Sequence, residues 1–240
     1  MFKVSFLVSS LVFCNNEQQA TIIIEKTEKK FRSINDYQVN MIISIAIPAF
    51  RMPNKKYTVF FKQPDMVRLK SSGFGLLPKT GMFTSPIENF DNLTDIKVDH
   101  ESVDLDPNTI MLKGNLVVDS LAVKMPNDYA RLTFKPTVAV KIDTNRWVIT
   151  GVVTMIDTIK IIEIQNIYDF VDGNHYLPIE SIVKYFVKDA RFSKWIKKDL
   201  GTIIDKDNEL NSSNDMVKGQ INIHYNKYKV NRGLKDEIFK

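Results

Sequence analysis

The segment Gln38–Ile47, QVNMIISIAI, decides the fold class, because its apolar residues recur at every second position. One face of an extended strand would hold the larger apolar side chains of this segment, which are Val39, Met41, Ile43, Ile45 and Ile47. The opposite face would hold Gln38, Asn40 and Ser44. Such a strand buries one side only, so the segment predicts a sheet with one apolar face that needs a cover.

The same alternation continues downstream of this segment in Tyr57–Lys62, Val67–Lys70, Ile110–Val118 and further segments up to Val217–Tyr228. Short polar turns such as Asp172-Gly173-Asn174 separate most of them, which is typical of consecutive antiparallel strands. We therefore predict a mainly β (α+β) domain built on a large curved antiparallel sheet. The sheet would form an open, incomplete β-barrel of about 10–11 strands.

Helices are the expected cover for the concave apolar face of this sheet. Upstream of the first strand, Ala20–Ile34 carries Ile23, Ile24, Thr27, Phe31 and Ile34 at helical spacing. Ala190–Leu200 has a similar pattern and predicts a second, short helix. Between the strands, the insert Ser71–Asn92 contains glycines and prolines yet is rich in large apolar residues. An apolar loop of this kind covers an apolar surface or receives an apolar ligand.

The first residues predict export of the protein. Met1–Lys3 is a short basic start, Val4–Phe13 is apolar, and polar residues follow Cys14, the only cysteine. The apolar run is too short to span a bilayer. Two routes stay open: cleavage after Cys14, or acylation of Cys14 as the first residue of a lipoprotein. We thus predict a signal peptide over residues 1–14, ordinary or of the lipoprotein type, and a single domain over residues 20–240.

Composition and motifs point away from several classes of function. The 240 residues are 44% apolar and 25% charged, and the net charge of +5 is dispersed, so we expect no nucleic-acid partner. His100, His175 and His224 are far apart in the sequence and lack a second ligand at metal-binding spacing. No nucleophile motif or phosphate-binding loop occurs. We predict no catalytic residues, no metal, no cofactor and no enzymatic activity.

The large sheet and the few predicted helices leave part of the apolar face without a cover. Barrel closure could fill this space with side chains, or the space could be a cavity for an apolar ligand. The nine methionines and fifteen phenylalanines fit an adaptable apolar lining, and they fit an ordinary core equally well.

Several short motifs resemble one known family. The helix ending at Ile34-Asn35-Asp36-Tyr37, the strand Tyr57–Lys62 and the turn from Gln63 through Pro64 to Arg68 resemble the opening of the LolA/LolB-like outer-membrane lipoprotein-sorting proteins, the lipoprotein carriers. Pro64 and Arg68 match the family motif, whereas Gln63 stands where the carriers often have Arg. The last strand, Val217 to Leu234, is similar to the final strand of these carriers.

The resemblance implies a half-closed barrel whose cavity shields acyl chains, without covalent chemistry. Its lining would be the candidate set Val39, Met41, Ile43, Ile45, Val59, Phe61, Val67 and Leu69. The mouth or lid of the cavity would be Phe74, Leu76, Leu77, Met82 and Phe83.

The function implied is a periplasmic carrier of lipids or acylated lipoproteins, soluble or anchored to the outer membrane through Cys14. Its partners would be the lipidated cargo and an inner-membrane export complex or an outer-membrane receptor. Two alternatives stay open: an envelope sensor or adaptor of the same fold, and a hydrolase that uses dispersed carboxylates.

Overall fold

In the computed structural model, the residues described are 16–47, 50–51, 53–71, 85–100, 106–117, 136–156, 158–187 and 217–240. They form one α-helix, eleven strands and two 3-10 turns (Pro86–Asn89 and Asp236–Phe239). The helix is α1 (Asn16–Arg32). The strands are β1 (Asp36–Ile47), β2 (Phe50–Arg51), β3 (Lys55–Lys62), β4 (Met66–Ser71), β5 (Leu93–Val98), β6 (Thr109–Leu116), β7 (Pro136–Asp143), β8 (Val148–Ile156), β9 (Ile159–Val171), β10 (His175–Val187) and β11 (Val217–Val230).

All described strands belong to one antiparallel sheet, in the order β4-β3-β1-β11-β10-β9-β8-β7-β6-β5, with the short β2 paired to β1. The sheet begins at β4 and ends at β5, so it is not closed into a barrel. The predicted mainly β class and open antiparallel sheet are confirmed. The order adds one feature to a simple meander: β1 and β11, the first and last strands, pair side by side in the interior of the sheet.

The N-terminal helix is also confirmed, and it begins at Asn16 rather than Ala20. Glu17 in its first turn and Lys29, Lys30 and Arg32 in its last turn oppose the partial charges of the helix ends. The helix buries Ala20, Ile23, Thr27 and Glu28, a stripe at three- and four-residue spacing. It packs on β5, β8 and the turn Pro86–Asn89, so it covers one half of the inner face of the sheet.

Two hydrophobic clusters lie along this inner face. The first joins β1, β3, β10 and β11, and includes the fully buried Phe61, whose ring stacks on that of Tyr37 at 4.9 Å and is tilted against that of Phe31 at 5.5 Å. The second joins α1, Phe90 and the strands β6, β7 and β8. The first cluster thus packs along the paired strands β1 and β11, and the second holds the helix on the sheet.

The end of β11 is fastened to the start of β1 by hydrogen bonds. The buried carboxylate of Asp36 accepts from the backbone N–H groups of Arg232, Gly233 and Leu234 at 2.9, 3.0 and 3.3 Å. In return, Oδ1 of Asn231 accepts from the N–H of Asn35 at 2.7 Å. The residues after β11 therefore close over the junction between α1 and β1.

A second carboxylate, Asp172 in the β9–β10 turn, ties the same segment to the neighbouring hairpin. Its oxygens accept from the backbone N–H of Val230 at 2.7 Å and from Nη2 of Arg232 at 2.9 and 3.1 Å. The hydrogen bond from Val230, followed by those from the Arg232 guanidinium and its charge, lowers the pKa of Asp172 below its ordinary value.

Acid should weaken the hydrogen bonds of Asp172, and urea unfolding of the parent and of Asp172→Asn at several pH values would detect this. Because the folded-state pKa is the lower one, the charged group stabilises the fold fully above the unfolded pKa of about 3.9, and the effect is lost as the pH falls through the folded value. We expect Asp172→Asn to unfold at lower urea concentration than the parent at pH 7, and the gap between the two midpoints to shrink as the pH falls through the folded-state pKa of Asp172. A gap of constant size across the range would contradict the assignment.

None of the helices in the described part of the chain is long and apolar enough to cross a membrane.

Candidate functional site

The sheet opens on its inner face where β8 and β9 separate. Pairing between these strands starts at Gly151 and Gln165, so the first residues of β8 pair only with β7. The carbonyl of Ile149 is left without a β9 partner and instead accepts hydrogen bonds from the side chains of Asn166 and Tyr168, both at 3.1 Å. These two side chains bridge the gap and leave space beneath α1.

A cavity of about 140 Å³ occupies this space, between the two hydrophobic clusters. The C-terminal half of α1 covers one side with Thr27, Lys30 and Phe31, and Ile34, just after the helix, continues this side. The other side is the sheet, which contributes side chains from β1, the β7–β8 turn and β8 to β11; among these are Tyr37, Trp147, Ile149, Val152, Ile164, Asn166, Tyr168, Tyr176, Leu177, Ser181, Tyr225 and Tyr228. The lining is thus mainly aliphatic and aromatic, with a small polar group on the sheet.

That polar group is satisfied internally. Ser181 is buried and donates to Oδ1 of Asn166 at 2.7 Å, and the Tyr228 hydroxyl donates to the carbonyl of Pro178 at 2.7 Å. The Tyr225 hydroxyl lies 3.4 Å from Oγ of Ser181. Every buried side-chain nitrogen and oxygen in the described residues has a hydrogen-bond partner. The buried polar groups of the wall therefore have all their hydrogen-bond partners within the protein and need none from a ligand.

The tyrosines of the wall stay protonated. Burial raises the pKa of Tyr37, Tyr168, Tyr225 and Tyr228 well above the ordinary value, because the phenolate would lose its hydration. Their hydroxyls therefore act as neutral donors at any physiological pH. The cavity wall carries no charge from them, which suits an uncharged, apolar guest.

The eight residues predicted to line a cavity lie in the other half of the inner face. Val39, Met41, Ile43, Val59 and Phe61 are buried within the first hydrophobic cluster, and Ile45 and Leu69 are partly buried against it. Val67, on the edge strand β4, is 38% exposed. None of the eight is among the side chains that line the cavity beneath α1. Their role in binding stays a prediction.

The predicted family motif lies at the β3–β4 turn, away from the cavity. Pro64 is exposed, and Arg68 points to the outer face, where its Nη1 donates to the carbonyl of Lys240 at 2.6 Å. Gln63 contacts the helix: its side-chain amide donates to the carbonyl of Phe31 at 3.3 Å and its backbone N–H to that of Asn35 at 2.8 Å. This turn therefore fastens the end of α1.

Three further predictions concern residues outside the described part of the chain. These are the second helix Ala190–Leu200, the processing or acylation of Cys14, and the mouth or lid set, Phe74, Leu76, Leu77, Met82 and Phe83. All three stay predictions.

The cavity lining on β9 and β10 was missed, although the sequence carries a signal for it. In β9 the residues facing inward change from Ile162 and Ile164 to Asn166 and Tyr168. A change from aliphatic to polar side chains along one buried face marks the place where the core ends and a lined space begins.

In the described residues, no three His, Cys, Asp or Glu side chains are grouped closely enough to hold a metal ion.

Solved structures of other proteins share this fold. The crystal structure of a LolA superfamily protein from Nitrosomonas europaea superposes with a TM-score of 0.53 at 15% identity, over 92% of this chain and 97% of that one. This chain shares the fold of a LolA superfamily protein. A DUF1329 family protein from Desulfovibrio piger superposes over the same shares with a TM-score of 0.50 at 8% identity. No protein-family model and no curated protein sequence matches the chain. The fold that the resemblance implied is therefore confirmed.

Proposed function

We propose that the protein is a lipid carrier that shields acyl chains against the inner face of its sheet, in the sorting of outer-membrane lipoproteins. The observation that supports this most strongly is the cavity beneath α1, a mainly apolar space at the point where β8 and β9 separate, with Lys30 at its exposed edge. The LolA superfamily fold supports the same proposal.

The size of the cavity indicates what a guest would require. A volume of about 140 Å³ is similar to that of an engineered cavity of ~150 Å³ that admits a single benzene ring. A long acyl chain needs more room, so the C-terminal half of α1 would have to move away from the sheet when cargo binds. The contacts that hold it there are side-chain packing, the hydrogen bond from the Gln63 side chain to the carbonyl of Phe31, and the hydrogen bond from the Ser85 hydroxyl to the Glu28 carboxylate.

Burial alone supplies the binding energy in this proposal. Each methylene removed from water contributes about 0.8 kcal/mol, so even part of one acyl chain is retained firmly. The wall is mainly apolar and its buried polar side chains are already hydrogen-bonded, so in this proposal release depends on a competing site and not on bond cleavage. The proposed cargo is an acylated lipoprotein or a related lipid, received from an inner-membrane export complex and passed to an outer-membrane receptor. The proposed location is the periplasm.

A titration with a fluorescent acyl probe tests the proposal. With cis-parinaric acid, whose emission rises in an apolar site, we expect saturable binding at about one probe per protein, displaced by unlabelled long-chain lipid. A short-chain acid of the same charge should not displace it, because too few methylenes are buried. Absence of saturable binding, or equal displacement by the short-chain acid, would contradict the proposal.

A further inference from the structure

A group of cations and aromatic rings lies where the cavity meets the surface. We name it the rim: Lys26 on α1, Arg146 and Trp147 in the β7–β8 turn, Phe170 at the end of β9 and Tyr176 at the start of β10. Nζ of Lys26 lies 4.4 Å from the centre of the Trp147 ring. The Arg146 guanidinium lies 4.9 Å from the Phe170 ring and 5.3 Å from the Tyr176 ring, so it links the two hairpin ends across the gap between β8 and β9.

The rim is continuous with the cavity. Trp147 and Tyr176 line the cavity and are also partly exposed, and Lys30, one turn beyond Lys26, does the same from the helix. An apolar chain that entered between the hairpins would therefore pass the rim first.

The basic side chains of the rim, and Lys30 next to it, have no acidic partner among the described residues. Lys26, Lys30 and Arg146 form no ion pair with any described residue. The carboxylates of Asp143 and Asp169, which are close in sequence to rim residues, accept hydrogen bonds from backbone groups: Asp143 from the N–H groups of Asn145 and Arg146, and Asp169 from that of Phe170.

Two aromatic residues of the rim stand at positions that other residue types normally occupy. Phe170 is 46% exposed, among the largest fractions for an apolar side chain in the described residues. Trp147 has a φ of 54°, in the left-handed region that Gly or Asn normally occupies. A bulky ring kept in a strained backbone at a surface is typical of a functional site.

We infer that the rim docks on the interface of a membrane that contains anionic lipids, and so brings the cavity to the source of its cargo. Aromatic rings with a polar edge partition to the headgroup level, and unpaired Lys and Arg side chains are attracted to anionic headgroups. The inference rests on the proposed function, because it supplies the route by which an acyl chain reaches the cavity.

The test is co-sedimentation of the full chain with vesicles of phosphatidylcholine alone or with 30% phosphatidylglycerol, at low and high salt. We expect binding to the anionic vesicles only, weakened by salt. The variant Lys26→Glu/Arg146→Glu should bind at least about tenfold more weakly, since each basic residue near the surface contributes separately. Phe170→Ser, which leaves the charge unchanged, should also weaken binding.

The matched control is Lys56→Glu/Lys70→Glu. It reverses the same number of exposed charges, and Lys70 likewise lies over a ring, that of Phe60 at 5.1 Å. These lysines are on the outer face, so the control should bind vesicles nearly as the parent does. Equal losses in both variants, or no binding by the parent, would overturn the inference.

The acyl-probe titration separates this outcome from failure of the proposed function. Lys26→Glu/Arg146→Glu should bind the soluble probe as the parent does, because neither side chain lines the cavity. Probe binding without vesicle binding in the parent would overturn membrane docking alone. Absence of probe binding in the parent would overturn the proposed function, and with it the route that the rim is inferred to serve.

Discussion

Replacing Asp36 with alanine is expected to lower the free energy of unfolding by about 3 kcal/mol, the largest loss that we predict for a polar residue. The carboxylate is buried and accepts hydrogen bonds from three consecutive backbone N–H groups after β11. Alanine would leave these three donors without their partner and would release the segment that closes over the α1–β1 junction. Urea unfolding at pH 7 measures the effect.

Two matched variants give the prediction its control. Asp36→Asn keeps one acceptor oxygen in the same place, so it should lose about half as much stability. Asp65→Ala, in the exposed β3–β4 turn, should change stability by no more than about 0.5 kcal/mol. If Asp36→Ala unfolds at the same urea concentration as Asp65→Ala, the hydrogen bonds of Asp36 do not stabilise the contact between the start of β1 and the segment after β11.

Filling the cavity is expected to abolish most acyl binding while the fold is kept. Val152 lines the cavity from β8, and a phenylalanine there would occupy space that the guest needs. Displacing two methylenes of the guest costs about 1.6 kcal/mol, so Val152→Phe should raise the Kd of the acyl probe about fifteenfold. The melting temperature should stay the same or rise, because the ring fills an existing space.

The neighbouring residue provides a control of identical chemistry. Val153 faces the opposite side of the sheet, since successive side chains of a strand alternate. Val153→Phe adds the same ring to the same strand, partly exposed as Val152 is, but outside the cavity. It should leave the Kd of the probe unchanged. Equal weakening by both variants would show that the effect comes from disturbance of β8 and not from loss of the cavity.

Local sequence patterns predicted the secondary structure well for a physical reason. The alternation along Gln38–Ile47 and the helical spacing along Ala20–Ile34 each place the apolar residues on one face. Because burial of that face stabilises the element, the spacing indicates whether it is a strand or a helix. The start of α1 was less predictable, because its first turn, Asn16 to Gln19, is polar and mostly exposed and so carries no apolar spacing. The pairing of β1 with β11 was not predicted, because it joins segments that are far apart in the sequence.

The position of the cavity was harder to predict from sequence than the face on which it lies. Strong alternation identifies residues such as Val39 and Phe61 as buried, but a tightly packed core and a cavity wall have the same pattern. The cavity forms because β8 and β9 do not pair before Gly151, and this depends on the strand register. In the sequence, the only local sign that we identify is the pair Asn166 and Ser181, polar residues on an otherwise apolar face.

The most direct test of the central claim is photolabelling with an acyl chain that carries a diazirine near its methyl end, followed by peptide mapping. A guest beneath α1 should label peptides from the C-terminal half of α1 and from β8 to β10, and excess unlabelled lipid should suppress the label. Val152→Phe should reduce labelling, and Val153→Phe should not. Labelling confined to the outer face, or unaffected by competing lipid, would contradict the account.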